Sequence, residues 1–188
     1  MKLLKDIKDC RICEAHLSHG PNPVVSFSRN SKIIIIGQAP GIKVHESGIP
    51  WNDASGERLR DWMGVSENEF YDTKRFGIVP MGFCYPGKGK SGDLPPRSEC
   101  AEAWMDKVLK SLQKVELIIL IGQYSQMYFL GNNKKNTLTE TVKSWEEYLP
   151  DYFVLPHPSP RNNIWLKKND WFLKKTVPEL RKTVSSIK

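Results

Sequence analysis

Four consecutive isoleucines, Ile33–Ile36, followed at once by Gly37-Gln38-Ala39-Pro40-Gly41, constrain this chain more than any other stretch. The run is far shorter than a membrane span and has the β-branched composition of a strand buried on both faces, as in a parallel sheet. Gly37 and Gly41 permit backbone conformations closed to other residues and Pro40 fixes φ between them, so the amides of Gly37, Gln38 and Ala39 could point at a ligand. In open α/β sheets ligands bind beyond the carboxyl ends of strands, which puts this loop where a site is expected. The plain alternative is a strand-to-loop turn without chemistry.

The rest of the chain repeats the strand-then-helix theme. Ser55–Gly64 carries Leu59, Trp62 and Met63 at helical spacing, with Ser55 as the expected cap and Gly64 as the stop. Phe76–Phe83 reads as a second strand that ends or bulges at Pro80 and Gly82. Residues 84–96 are rich in Gly and Pro and read as an exposed loop with Lys88 and Lys90 on it. A helix is expected from Ser98 to Leu112, a buried strand over Leu117–Ile121, a helix after Gly122 and another over Thr137–Tyr148. A short strand at Phe153–Leu155 leads into HPSPRN, and Asn169–Lys188 reads as a basic amphipathic helix. This alternation predicts one domain over residues 1–188. Its architecture is a three-layer α/β/α sandwich around a mostly parallel four-stranded sheet. Two strand ends then carry unusual loops, GQAPG and HPSPRN, which such a sheet would bring to one edge.

The N-terminal stretch interrupts its apolar residues with charge and has no signal-peptide pattern, and no apolar run approaches the roughly 20 residues of a spanning helix. These features predict a soluble cytoplasmic protein without a membrane partner, a monomer in the simplest case. The 28 Lys+Arg against 21 Asp+Glu leave +7, compatible with a polyanionic partner or with a merely basic protein. In a reducing compartment the four cysteines are not expected to form disulfides. They fall into two pairs, Cys10 with Cys13 in C-x-x-C and Cys84 with Cys100 across the Gly/Pro loop. Such a set supplies the ligands of zinc or of an iron–sulfur cluster; four unrelated reduced thiols are the bland alternative.

GQAPG near the start, HPSPRN near the end and this cysteine arrangement together resemble the uracil-DNA glycosylase superfamily, whose first motif is of the GQDPY, GEAPG or GMNPG kind and whose second begins HPS. The resemblance spans Cys10 to Asn162. The cysteines resemble those of the iron–sulfur uracil-DNA glycosylases of bacteria and archaea, which implies a four-iron four-sulfur cluster on Cys10, Cys13, Cys84 and Cys100, with a structural role. In that group a Phe after the first motif stacks on the flipped base. At the matching spacing stand Gly48, Ile49, Pro50 and Trp51, and a larger π-face also accepts a pyrimidine. The base site implied is Gly37, Gln38, Ala39, Trp51 and Asn52; a Trp51 that only fills the core is the alternative.

HPSPRN is similar to the second motif of the single-strand-selective monofunctional glycosylases. By that likeness His157 donates a hydrogen bond to the base carbonyl as the leaving base gains charge, Ser159 touches phosphate, Arg161 wedges into the duplex, and Asn162 completes the DNA contact. The division is physically sound, since a donor stabilises an anionic leaving group and an arginine fills a gap in the stack. The chain also departs from the family. The catalytic Asp of GQDPY is Ala39, the acid of GEAPG is Gln38, a following Asp is replaced by His45, and an Asn that reads the uracil edge falls at Pro80. His45 and Asp53 remain as polar residues to position water. The resemblance implies a DNA-repair glycosylase. A nucleic-acid-binding relative without chemistry and a nucleotide-handling enzyme that uses GQAPG for phosphate are the alternatives.

Overall fold

The computed structural model describes residues 2–188. Strand β1 (Ile33–Ile36) lies inside a four-stranded sheet with β2 (Phe76–Ile78) on one side and β5 (Leu117–Ile121) then β6 (Tyr152–Leu155) on the other, all parallel. Ile33 faces Phe76 across one ladder and Leu117 across the other. All four β1 isoleucines have 0% exposure, because strands cover both edges and helices both faces.

The crossovers explain the layers. Helix α1 (Lys2–Lys8) stands at the N-terminus, and between β1 and β2 come α2 (Ile42–Ser47), α3 (Ala54–Met63) and α4 (Glu67–Phe70). Between β2 and β5 lie a small antiparallel hairpin, β3 (Lys88–Gly89) with β4 (Gly92–Asp93), and α5 (Ser98–Ser111). The chain steps one way from β1 to β2 and the other way from β2 through β5 to β6, so right-handed connections place their helices on opposite faces. From β5 to β6 the chain runs through α6 (Gln123–Leu130) and α7 (Leu138–Lys143), and it ends in α8 (Asn163–Lys168) and α9 (Val177–Ser186). The Trp62 ring of α3 meets Phe172, just ahead of α9, edge to face at 4.8 Å. Among the described residues no helix is long and apolar enough to cross a membrane.

Local differences from the sequence expectations have physical causes. The helix expected over residues 137–148 is broken: α7 stops at Lys143, and Trp145–Tyr148 is a tight 3₁₀ turn. The break lets Trp145 stack on Phe153 of β6 at 4.7 Å, a contact that a continuous helix would turn away. The loop over 84–96 is not simply exposed. Tyr85 and Pro86 are buried and the stretch contains the β3–β4 hairpin, with Lys88 and Lys90 outward. Beyond β2 the chain still tracks β1, the amides of Val79, Met81 and Gly82 donating to Ile35, Gly37 and Gln38, while Pro80 has no amide to give and ends the regular ladder. In the terminal segment, Phe172–Thr176 winds as a wider π turn ahead of α9, where Pro178 removes a helical donor.

Candidate active site

A cavity of about 500 Å³ opens at the carboxyl ends of the strands, and both unusual loops line it: Gly37 to Gly41 after β1, and His157, Ser159, Arg161 and Asn162 after β6. The strand order is the one in which a crevice forms beside β1, where successive connections leave in opposite directions. GQAPG is anchored through its carbonyls, Gly37 accepting from the Met81 amide and Gln38 from the Gly82 amide, both at 3.0 Å. In a trans peptide the next amide points the other way, so the N–H groups of Gln38 and Ala39 are directed away from that anchoring segment.

Trp51 forms one wall. It adopts a left-handed backbone with φ 57, which is costly for a bulky residue and persists only where the surroundings over-determine it. Two glycines create the fit. A side chain at Gly56 would collide with the Trp51 carbonyl, and a Cβ at Gly37 would lie 2.9 Å from the indole Cζ2. The Tyr71 hydroxyl donates to the Pro50 carbonyl at 2.9 Å, clamping the same turn. Trp51 is half-buried, with its ring against the core and beside His157 at 5.6 Å between centroids.

His157 follows β6 directly. Its Nδ1 accepts from the Ser159 amide at 3.2 Å, so the ring proton sits on Nε2 and that atom is the donor. Burial pushes its pKa below the usual histidine value, opposed by the carboxylates of Asp53 and Asp93. A neutral, donating imidazole is the form this environment favours. The loop is braced by Asn162, whose amide nitrogen donates to the His157 carbonyl at 2.7 Å, and by Arg58 of α3, which donates to the Ser159 carbonyl at 3.2 Å. The Ser159 hydroxyl accepts from the Arg161 amide at 3.3 Å and keeps its own proton free to donate.

The model of the Uracil DNA glycosylase superfamily matches residues 25–181. The chain belongs to the uracil DNA glycosylase superfamily. A solution NMR structure from Methanosarcina acetivorans, described as a "putative Uracil DNA glycosylase", is similar with a TM-score of 0.47 and 17% identity, over 85% of this chain and 94% of that chain.

Within this superfamily member, three sequence expectations are corrected. Asn52 is exposed and lies outside the cavity lining, because the left-handed turn at Trp51 sends the next side chain outward. His45 is also outside. It sits near the end of α2, where its ring faces Tyr85 at 6.1 Å and His19 at 6.0 Å, and its buried Nδ1 has no hydrogen-bond partner. Asp53, not Ser55, caps α3: its Oδ1 accepts from the Gly56 amide at 2.9 Å, and Ser55 is buried in the first turn, lining the cavity. Asp53 lines the cavity too. Sequence reading missed Ser55, Arg58 and Asp93, since none lies in either motif; only the fold brings Ser55 and Asp93 to the cavity and Arg58 to the Ser159 carbonyl. Pro80 stands in the lining, so the position of the family's edge-reading Asn offers no side-chain hydrogen bond.

The four cysteines meet at a second site, which Gly82 and Phe83 also line. All four line one small cavity, closed by Leu17, Pro21, Pro23 and Phe83. The Cys10 sulfur accepts from Trp104 Nε1 at 3.3 Å and the Cys100 sulfur from the Phe83 amide at 3.2 Å. Arg97 beside Cys13 and the Asn22 amide beside Cys84 also favour thiolate. Burial nevertheless pushes the Cys84 thiol up to about 11 and that of Cys100 up to about 12. Donors aimed at buried sulfurs fit ligands that become anionic on binding a metal centre. Among the described residues no three His, Cys, Asp or Glu side chains group tightly enough to hold a single metal ion.

Proposed function

We propose that this protein is a monofunctional DNA glycosylase that takes a base flipped out of DNA, uracil first among them, and hydrolyses its N-glycosidic bond. One observation carries the reading: the cavity built by GQAPG and HPSPRN holds an aromatic face, Trp51, beside a neutral histidine donor, His157. The base stacks on Trp51 and the Nε2–H of His157 donates to its carbonyl as negative charge develops there. Preorganisation is supplied by the Ser159 amide, which fixes the tautomer, and by Asn162 and Arg58, which hold the loop. Ser159 and Arg161 face the DNA, Ser159 donating to a phosphate and Arg161 filling the space the base leaves.

Cys10, Cys13, Cys84 and Cys100 would hold a four-iron four-sulfur cluster, as in the iron–sulfur group of the family, tying the N-terminus and the 84–100 segment to the core. The cluster supplies cross-linking rather than a step in hydrolysis. A monomer acting on DNA in the cytoplasm completes the reading; the exposed Lys88, Lys90, Arg161, Lys167 and Lys168 supply positive charge for the backbone.

A second reading rests on Pro80. With no amide side chain to read uracil at that position, a DNA-binding relative that excises a different base, or none, would share the fold. Single-turnover incubation with single- and double-stranded oligonucleotides bearing uracil, hypoxanthine, xanthine or oxidised pyrimidines separates the two. Release of free uracil, leaving an intact strand with an abasic site, is the expected result. Release of another base alone reassigns the substrate, and DNA binding with no release from any of them establishes the binding relative.

A further inference from the structure

The glycosylase reading needs a group to take a proton from the attacking water; Ala39 and Gln38 occupy the family's acidic positions, His45 lies outside the cavity, and Asp53 lines the cavity with one oxygen capping α3. A third candidate stands on the β3–β4 hairpin. Asp93 lines the cavity; its Oδ1 lies 3.4 Å from the Tyr85 hydroxyl and its Oδ2 is the atom nearest to where a Gly41 side chain would begin, at 3.8 Å. The carboxylate therefore has one oxygen held from behind and the other turned to the GQAPG side. Its cross-strand partner, Lys88, is exposed.

The hairpin lies beside the second motif. Gly92 has φ 143, and a side chain there would collide with the Arg161 guanidinium, so the bare backbone lets Arg161 lie against the turn that carries Asp93. Tyr85 is 3% exposed and packs against His19 at 5.2 Å and His45 at 6.1 Å, which fixes its ring. The Tyr85 hydroxyl is the donor in its contact with Asp93. Asp93 is also one of two carboxylates whose fields reach His157.

We propose that Asp93 is the general base for the glycosylase reaction, its Oδ2 taking a proton from the attacking water, with Tyr85 as the positioning residue. The inference rests on the glycosylase reading above. The water oxygen forms a bond to C1′ as the C1′–N bond breaks, and that electron pair leaves with the base, stabilised by the Nε2–H of His157. The water's proton passes to Asp93 and from there to solvent, so the protein ends in its starting state.

The test uses the full-length protein and a uracil-containing oligonucleotide under saturating enzyme. Asp93→Asn should lower the single-turnover rate by ~10² to 10⁴, the usual range for a lost general base, while binding of an oligonucleotide with uncleavable 2′-fluorinated deoxyuridine stays within about twofold. Asp93→Ala should be similarly slow and be partly restored by added formate, a small carboxylate that fits the vacated space; a purely structural aspartate would not respond. Tyr85→Phe should lose about tenfold in rate at unchanged affinity, in line with a single positioning hydrogen bond. An Asp93→Asn rate equal to the parent, or no formate response in Asp93→Ala, overturns the assignment while leaving the glycosylase reading standing. A parent that releases no base overturns both.

Discussion

The indole of Trp51 and the imidazole of His157 stand 5.6 Å apart, centroid to centroid, and are tilted by 33°. One comes from a loop after the first core strand and the other from a loop after the last, and their approach makes a slot with an apolar face and a polar edge. Trp51→Ala should weaken binding of a uracil-containing oligonucleotide by ~1 to 3 kcal/mol, about 5- to 150-fold, the range for one base stacked on an aromatic ring. Trp51→Phe should keep most of that affinity. Fluorescence anisotropy on the uncleavable substrate measures it, and an unchanged affinity in Trp51→Ala would return this residue to the core.

The two glycines under Trp51 should behave differently. At Gly56 an added methyl meets the Trp51 backbone carbonyl, so Gly56→Ala should destabilise the fold by about 1 to 3 kcal/mol as the turn is forced out of place. At Gly37 it meets the far end of the indole, which can swing aside. Gly37→Ala should therefore keep its denaturation midpoint near the parent's and lose base excision. Equal midpoints for Gly56→Ala and the parent would show that the left-handed turn is not held as described.

His157 carries a pH prediction. Burial holds its folded-state pKa below the ordinary 6.5, so the unfolded chain binds the extra proton more readily. The resulting stability is present in full above the unfolded value and is lost as pH falls through the folded one. Protonation would also turn Nδ1 into a donor facing the Ser159 amide, which is a donor itself. Excision should hold steady down past pH 6.5 and decline only at more acid pH, and the His157 ring protons should titrate in NMR with a midpoint below 6.5. A midpoint above that value would contradict the burial argument. His157→Ala should fold, bind DNA nearly as the parent does and lose ~10² to 10³ in single-turnover rate.

Protein prepared anaerobically should be brown and carry about four iron atoms per chain, with the colour lost in Cys84→Ser or Cys100→Ser. Loading should release protons, because the Cys84 and Cys100 thiols are held protonated by burial up to about 11 and about 12 in the free site. Chelation of the metal should loosen the N-terminal segment first, read as faster amide exchange around Cys10 and Cys13. Colourless protein containing zinc would keep the site and reject the cluster; metal-free protein with four reactive thiols would remove both.

Much of the layout is legible in local chemistry. Four β-branched residues in a row admit little but a strand buried on both faces, and Ile33–Ile36 lie there. Leu59, Trp62 and Met63 announce a buried helix face, and Phe153–Leu155 ends where Pro156 must end it. Helix ends are less legible, because Asp53 and Ser55 are both good caps and the choice depends on how the Trp51 turn delivers the chain. The split of the 137–148 segment was hidden for a related reason, since Trp145 gains its place by stacking on Phe153, a residue outside that segment.

By itself the sequence determined the strand–helix alternation, the two loops at strand ends, the paired cysteines and the residue types available for chemistry, since periodicity and turn residues act over a few neighbours. Only the tertiary structure decided which of those residues share a cavity. His45 follows GQAPG closely yet is turned away by α2, whereas Asp93, from a hairpin with no motif, is carried in and held beside Tyr85. The reason is that side-chain direction at a site is set by long-range packing: a left-handed turn at Trp51, bare backbone at Gly56 and Gly92, and parallel strands that end together.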